Sequence, residues 1–154
     1  MFFKKTFNHT IHISPQMITA NVEMLVKQYL ATNIEGKCTI YGHTVCVTNI
    51  NSISEGYILM NGYIKFVVEY DAVVLNPVKN EVLEAPIVST NKMGYFAAVG
   101  PLSVFISIHQ IPQNVLNNIK VNDMVRLRII GTKADNMNVV AIGTLNEDYL
   151  GLVY

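Results

Sequence analysis

From residue 81 onward the chain is a series of short apolar segments separated by glycine and asparagine, and this pattern permits few folds. The segments predict five strands, at 81–90, 95–99, 102–108, 123–130 and 138–145. The turns between them are predicted at 91–94, 100–101, 131 and 135–136, and no helix is predicted in this half. Short strands joined by tight turns predict a small closed β-barrel. The five-stranded OB barrel, whose strand faces bind single-stranded nucleic acid in many proteins, fits best.

The first half combines one helix with several strands. Residues 7–13 alternate between apolar and polar side chains, which predicts a strand with one buried face. Apolar residues from Ile18 to Tyr29 recur at three- and four-residue steps, which predicts an amphipathic helix that ends near Asn33. A turn or bulge at Gly42 separates two strand segments, and residues 64–72 form the clearest strand of the chain. The fold class is therefore predicted as α+β.

The boundary between the two halves is predicted at 77–80, which divides the chain into domains at 1–78 and 79–154. A segment this short is not a flexible linker. The two halves are therefore expected to move as one body.

The composition favours a protein that is covered by partners. Apolar residues make up 51% of the chain and charged residues only 14%, against a usual quarter. A chain of this kind leaves apolar patches, and large exposed patches mark interaction sites. The net charge is zero. Because affinity for nucleic acid comes largely from neutralised phosphates, a neutral chain is a poor free-standing nucleic-acid binder, although a local patch would still serve.

Several functional classes are disfavoured. The two cysteines, Cys38 and Cys46, lack zinc spacing and are interpreted as small apolar residues on strands. His9 and His12 point to opposite faces of a strand, and the sequence contains no hydrolase, metalloprotease or nucleotide-binding motif. The long uncharged stretch 93–119 is broken by glycine and proline, so it is interpreted as buried strands. The chain is thus expected to be soluble and intracellular, without catalysis, cofactor, metal or membrane contact.

The segment 91–112 carries the candidate binding residues. Two adjacent barrel strands hold aromatic side chains and a histidine, and aromatic rings on a strand stack on bases. Arg126 and Arg128 share one face of the next strand in sequence, and two lysines are placed in turns. Together they predict a modest RNA-binding surface of Lys92, Tyr95, Phe96, Phe105, His109, Arg126, Arg128 and Lys133. For each phenylalanine taken alone, the barrel core is the favoured place. The arginine pair is expected to be exposed, facing either nucleic acid or an acidic partner.

Motifs along nearly the whole chain resemble those of the family of seventh subunits of RNA polymerase II, the larger partner of the stalk heterodimer. The closing motif at 148–153, DYLGLV, is the most specific and favours the polymerase II members over the archaeal, polymerase I and polymerase III relatives. The other matching segments are 1–3, 35–38, 70–77, 81–82, 91–96, 99–101, 105–107, 109–112, 130–132 and 141–143.

The resemblance implies a truncated RNA-recognition-motif tip domain and an OB domain of the ribosomal protein S1 kind. It also implies a nuclear protein that pairs with the smaller stalk subunit, docks on the polymerase core near the clamp, and supports initiation and the handling of nascent single-stranded RNA. The docking residues implied by the resemblance lie in the loop between two glycines: Glu55, Gly56, Tyr57, Leu59, Asn61 and Gly62.

Two departures from the family pattern concern the barrel. The loop at 113–122 is short, and the strand near Ile108 lacks the basic residue found in related stalk subunits. His109 stands where related RNA-binding domains carry a serine, and Ser107 where they often carry a histidine. Two alternatives stay open: a free-standing OB-domain protein that binds single-stranded RNA in translation or RNA decay, and an adaptor that binds protein only.

Overall fold

The computed structural model describes residues 1–135 and 137–154 and arranges them in two β-sheets that surround separate buried clusters. The first sheet is antiparallel, with the order β1-β5-β3-β2, and β4 adds to β5. Its strands are β1 (Phe2–Ile13), β2 (Cys38–Thr39), β3 (Gly42–Ile53), β4 (Tyr57–Ile58) and β5 (Ile64–Leu75).

One helix, α1 (Val22–Asn33), packs on this sheet and buries Leu25, Val26 and Leu30. The helix begins later than its predicted start at Ile18. A 3-10 turn at Pro15–Met17 leaves Ile18 extended, and the side chain of Asn21 then caps α1 by accepting a hydrogen bond from the Met24 amide at 3.1 Å. Asparagine is a favoured N-cap, because its oxygen satisfies an amide that has no partner within the helix.

The turn predicted at Gly42 is confirmed as the β2–β3 hairpin. β3 continues to Ile53, which the sequence did not indicate. The register of β3 against β5 shifts at three places between Thr44 and Ser52. Each bulge reverses which side chains face the core, so the strand shows no regular alternation.

The second sheet closes on itself. Its strands are β6 (Val82–Asn91), β7 (Gly94–Val99), β8 (Leu102–Ser107), β9 (Met124–Ala134) and β10 (Val139–Thr144). They run in the order β10-β8-β7-β6-β9, and pairing of β9 with β10 completes the ring. The pair β8–β10 is parallel and the others are antiparallel. β11 (Gly151–Leu152) extends β9. The predicted five-stranded OB barrel is therefore confirmed.

The connection between β8 and β9 differs from the prediction. It contains a 3-10 turn at Ile108–Gln110 and a single-turn helix, α2 (Gln113–Leu116). β8 ends at Ser107, whose hydroxyl accepts a hydrogen bond from the His109 amide at 3.4 Å. A helix of four residues is too short to show a periodic pattern, which explains why none was predicted. Part of the turn predicted at 135–136 lies outside the described residues.

The two halves touch where β5 leads into β6. Leu75, the last residue of β5, is buried within the barrel cluster, and Cys38 and Val45 pack against the same cluster. The amino group of Met1, next to β1, lies 2.9 Å from the carboxylate of Glu81, next to β6. The boundary between residues 78 and 79 falls in this connection and stays a prediction.

Candidate functional site

Two aromatic rings lie side by side on the outside of the barrel. Phe96 on β7 and Phe105 on β8 are direct cross-strand partners, with ring centroids 5.0 Å apart and ring planes at 46°. The flanking residues Val104 and Ile106 are fully buried inside the barrel. Since side chains alternate along a strand, Phe105 and its partner point outward and are only partly buried. The core position favoured for each phenylalanine is therefore wrong.

The outward rings belong to a wider apolar surface. Parallel pairing places Ile142 of β10 beside Phe105, and antiparallel pairing places Lys133 of β9 beside Val140. Ile142 and Val140 are 48% and 42% exposed. We call this surface the barrel face: Phe96, Phe105, Lys133, Val140 and Ile142. Lys133 was predicted in a turn but lies on β9.

Sequence reasoning missed the two aliphatic members of the barrel face. Val140 and Ile142 alternate with Val139 and Ala141, which are buried. All four residues are apolar, so composition alone does not distinguish the inner positions from the outer ones. Only the alternation of these four residues along β10 distinguishes the two that face outward, once the side of the strand that faces the barrel interior is known.

The two arginines do not join the barrel face. They lie nearer the start of β9 than Lys133 does: Arg128 is opposite Thr144, the last residue of β10, and Arg126 pairs with Glu84 of β6. The Arg126 guanidinium contacts the Glu84 carboxylate at 2.7 Å, and that of Arg128 contacts Glu147 at 2.6 Å. Both side chains remain accessible to solvent, as expected. Their charges are already matched by carboxylates, which weakens any attraction for phosphate.

The other three predicted binding residues have separate positions. Tyr95 packs against the barrel core, and its hydroxyl donates a hydrogen bond to the Leu116 carbonyl at 3.3 Å, which braces α2. His109 is exposed in the 3-10 turn after β8 and not on the strand. Lys92 is exposed in the β6–β7 turn. Tyr95 is therefore a structural ring and not a free stacking surface.

The loop implied as a docking element projects from the far end of the first sheet. We call residues 55–63 the apolar loop. It is a well-defined turn: the Leu59 amide donates to the Tyr63 carbonyl at 2.7 Å, and the Asn61 side chain accepts from the Tyr63 amide at 3.1 Å. Gly62 takes a φ of 84°, which glycine adopts without strain. Gly56 packs closely on Phe66 at the other end.

The most exposed apolar side chains of this loop were not among the predicted docking residues. Ile58 is 79% exposed, and Met60 is fully exposed. Of the predicted residues, Glu55, Tyr57 and Asn61 are exposed, whereas Leu59 is partly buried. Exposed side chains of this size at a loop tip are typical of an interaction surface.

The titratable groups with shifted pKa values are structural in character. The Asp71 carboxylate accepts hydrogen bonds from the Thr6 hydroxyl at 2.6 Å and from the Asn51 side-chain amide at 3.0 Å. These two bonds, together with Lys4, hold the pKa of Asp71 below its usual value. Burial, with a contribution from Asp135, raises the pKa of the Cys38 thiol, which makes it a poor nucleophile.

Within 1–135 and 137–154, no cluster of three or more possible metal ligands occurs. None of the helices described is long and apolar enough to span a membrane.

Comparison with known proteins matches both halves of the chain. A family model described as "S1 RNA binding domain" matches residues 76–141. The chain is 34% identical to "DNA-directed RNA polymerase II subunit rpb7" of Dictyostelium discoideum, over 99% of each protein. It is 32% identical to subunit RPB7 of Saccharomyces cerevisiae, over 99% of this chain and 100% of that protein. It is 23% identical to "DNA-directed RNA polymerase subunit Rpo7" of Sulfolobus acidocaldarius, over 93% of this chain and 88% of the relative.

Proposed function

This chain belongs to the family of RNA polymerase II subunit Rpb7, and we propose that it is a non-catalytic stalk subunit of that polymerase. It pairs with the smaller stalk subunit, docks on the polymerase core near the clamp, and supports initiation and the handling of nascent RNA in the nucleus. The observation that carries the proposal is the 34% identity over 99% of both chains. Both halves of the relative are thus retained.

The first half is proposed to be the tip domain, of truncated RNA-recognition-motif type. A four-stranded antiparallel path with one helix packed on it supports this assignment. The apolar loop is proposed to insert into the core. Exposed Ile58 and Met60 would be buried there, and burial of apolar area provides the main favourable term in association.

The smaller stalk subunit is proposed to cover the junction of the two halves. Four large apolar residues near this junction are exposed: Phe2, Phe3, Val78 and Val82. Phe2 and Phe3 pair with Leu75 and Val74 at the end of β5, Val78 lies in the connection after β5, and Val82 begins β6. A partner that lies along both halves would remove this apolar surface from water.

Assembly onto polymerase tests the proposal. The chain, co-expressed with the smaller stalk subunit, is mixed with RNA polymerase II from which the stalk has been removed, and the mixture is separated by gel filtration. We expect both subunits to elute with the polymerase. Polymerase that retains its own stalk is the control and should not take up added subunits. A chain that binds RNA but stays in the small fractions with both polymerases would instead favour the free-standing RNA-binding alternative.

The barrel face is proposed to hold nascent single-stranded RNA by stacking. Each base stacked on an aromatic ring contributes about 1–3 kcal/mol. Replacing both Phe96 and Phe105 with alanine is therefore expected to weaken RNA binding by at least about tenfold. The measurement is fluorescence anisotropy of labelled single-stranded RNA with the stalk heterodimer. Since Lys133 is the one cation among the five residues of the barrel face, the slope of log affinity against log salt should be shallow, about −0.7.

The control is Arg126→Gln, which removes a cation already paired with Glu84. It should change RNA affinity less than twofold, about 0.4 kcal/mol or less. If Arg126→Gln weakens binding more than the double alanine variant, RNA lies on the β6–β9 side of the barrel and the proposed use of the barrel face fails. Circular dichroism confirms that each variant is folded.

A further inference from the structure

A groove of about 450 Å³ opens at the far end of the first sheet, between β1, α1 and the apolar loop. Ile13 and Leu25 are buried residues that line it, and Met17 adds an exposed apolar edge. Gln28, Tyr29 and Tyr63 also line the groove. Ligand pockets in proteins commonly measure about 300–1,000 Å³, so this groove has room for a large side chain.

The groove and the apolar loop form one continuous surface. Tyr63 belongs to both, and its carbonyl accepts the hydrogen bond that closes the loop. On the other side, an atom added at the Cβ position of Gly62 would lie 3.8 Å from Cγ of Pro15, in the turn that precedes Met17. A partner that covers the apolar loop must therefore approach the groove as well.

The chemistry of the groove selects an uncharged occupant. No lysine, arginine, aspartate or glutamate lines it within the part of the chain that the structure describes, and His12 contributes an exposed imidazole. Ser14 and Gln28 line it with a hydroxyl and an amide group, whereas the Thr32 hydroxyl already donates to the Gln28 carbonyl at 2.9 Å. A lysine or arginine side chain placed here would lose hydration without gaining a carboxylate partner, which is costly, and a carboxylate would meet a single exposed imidazole, that of His12. An aromatic or aliphatic side chain would gain contact area at no such cost.

We infer that, when the apolar loop docks, this groove receives one aromatic or large aliphatic side chain presented by a protein segment of the polymerase core. The groove is then the second half of the docking surface. This inference rests on the proposed function and specifies the chemistry of the partner. Buried aromatic or aliphatic anchors in such pockets commonly dominate the energy of an interface.

The test is to fill the groove from its wall. Gln28→Trp and Thr32→Trp each place a large ring at a residue that lines the groove, four positions apart on the exposed side of α1. Lys27→Trp is the matched control, because Lys27 is the neighbouring exposed position and does not line the groove. Its ion pair with Glu23, at 3.0 Å, is exposed and contributes little. The measurement is a titration of stalk-depleted RNA polymerase II with each variant heterodimer.

We expect Gln28→Trp and Thr32→Trp to weaken binding at least about tenfold and Lys27→Trp to change it less than about twofold. The chain contains no tryptophan, so the emission of each introduced ring in the isolated chain reports whether it is shielded in the groove. If both rings are shielded and both variants bind as the unmodified chain does, the inference is overturned. That result leaves the proposed function standing, provided that the unmodified heterodimer binds. Failure of the unmodified heterodimer to bind would instead refute the proposed function itself.

Discussion

Replacing Ile58 with glutamate is expected to lower the affinity of the stalk heterodimer for the polymerase core by at least about 100-fold, or 2.7 kcal/mol. Ile58 is 79% exposed in the isolated chain, so the substitution should leave the fold unchanged. Once docked, the new carboxylate would be buried without a cation, and an unpaired buried charge costs several kcal/mol. The measurement is titration of stalk-depleted polymerase with the variant heterodimer.

Ile40→Glu is the matched control for this prediction. Ile40 is 90% exposed, in the β2–β3 turn. That turn lies beside the Leu75 end of β5, whereas Ile58 pairs with Ile64 at the opposite end. Once gel filtration shows that each variant still pairs with the smaller stalk subunit, which is proposed to cover the junction near this turn, the control should bind the core with unchanged affinity. Equal losses from both variants would mean that the carboxylate acts through general repulsion, and no loss from Ile58→Glu would place the docking surface elsewhere.

The barrel was predictable from the sequence because its signals are local. Each strand is short and is bounded by glycine or asparagine, so the order of strands and turns can be found without knowledge of distant contacts. The same holds for the glycines at 56 and 62, which delimit a loop whatever its neighbours are. These features depend on backbone conformation, which a few adjacent residues determine.

The composition of the candidate site was less predictable because it depends on strand order. Arg126 and Arg128 follow β8 in sequence, yet β10 separates them from it in space. Their partners, Glu84 and Glu147, lie 42 and 19 positions away along the chain. No local pattern links residues at such distances. The grouping of these arginines with the aromatic rings on one surface therefore failed because it depends on strand order and pairing, whereas their binding of RNA stays a prediction.

The direction in which Phe96 and Phe105 point was partly predictable from the sequence. Leu102, Val104 and Ile106 form an alternating buried row, and Phe105 lies between two of them. This alternation was visible in the sequence once β8 was recognised. The general tendency of phenylalanine to be buried favoured the core for each ring considered alone, whereas strand geometry allows only one face to be buried.

The stacked rings depend on a close approach of two backbones, which gives the second large prediction. Gly94 is the first residue of β7 and pairs with Ser107 of β8. A Cβ atom added at Gly94 would overlap the backbone oxygen of Ile106. Because the backbone of Ile106 is held in β8 by its pairing with β7 and β10, Gly94→Ala must push the start of β7 away from β8. The overlap also separates the strands that carry Phe96 and Phe105.

Gly94→Ala is expected to destabilise the barrel by about 3 kcal/mol or more, at the upper end of the range for overpacked interiors. Gly131→Ala is the control: it is also a barrel glycine, but no atom lies within 4 Å of its added Cβ. That change should be neutral or should stabilise by up to about 1 kcal/mol, since alanine reduces the entropy of the unfolded chain. Because two separate clusters need not unfold together, the measurement is hydrogen exchange of β7 and β8 followed by mass spectrometry across a urea series. Similar midpoints for both variants would show that β7 and β8 tolerate a wider spacing, and the stacked rings would then not depend on Gly94.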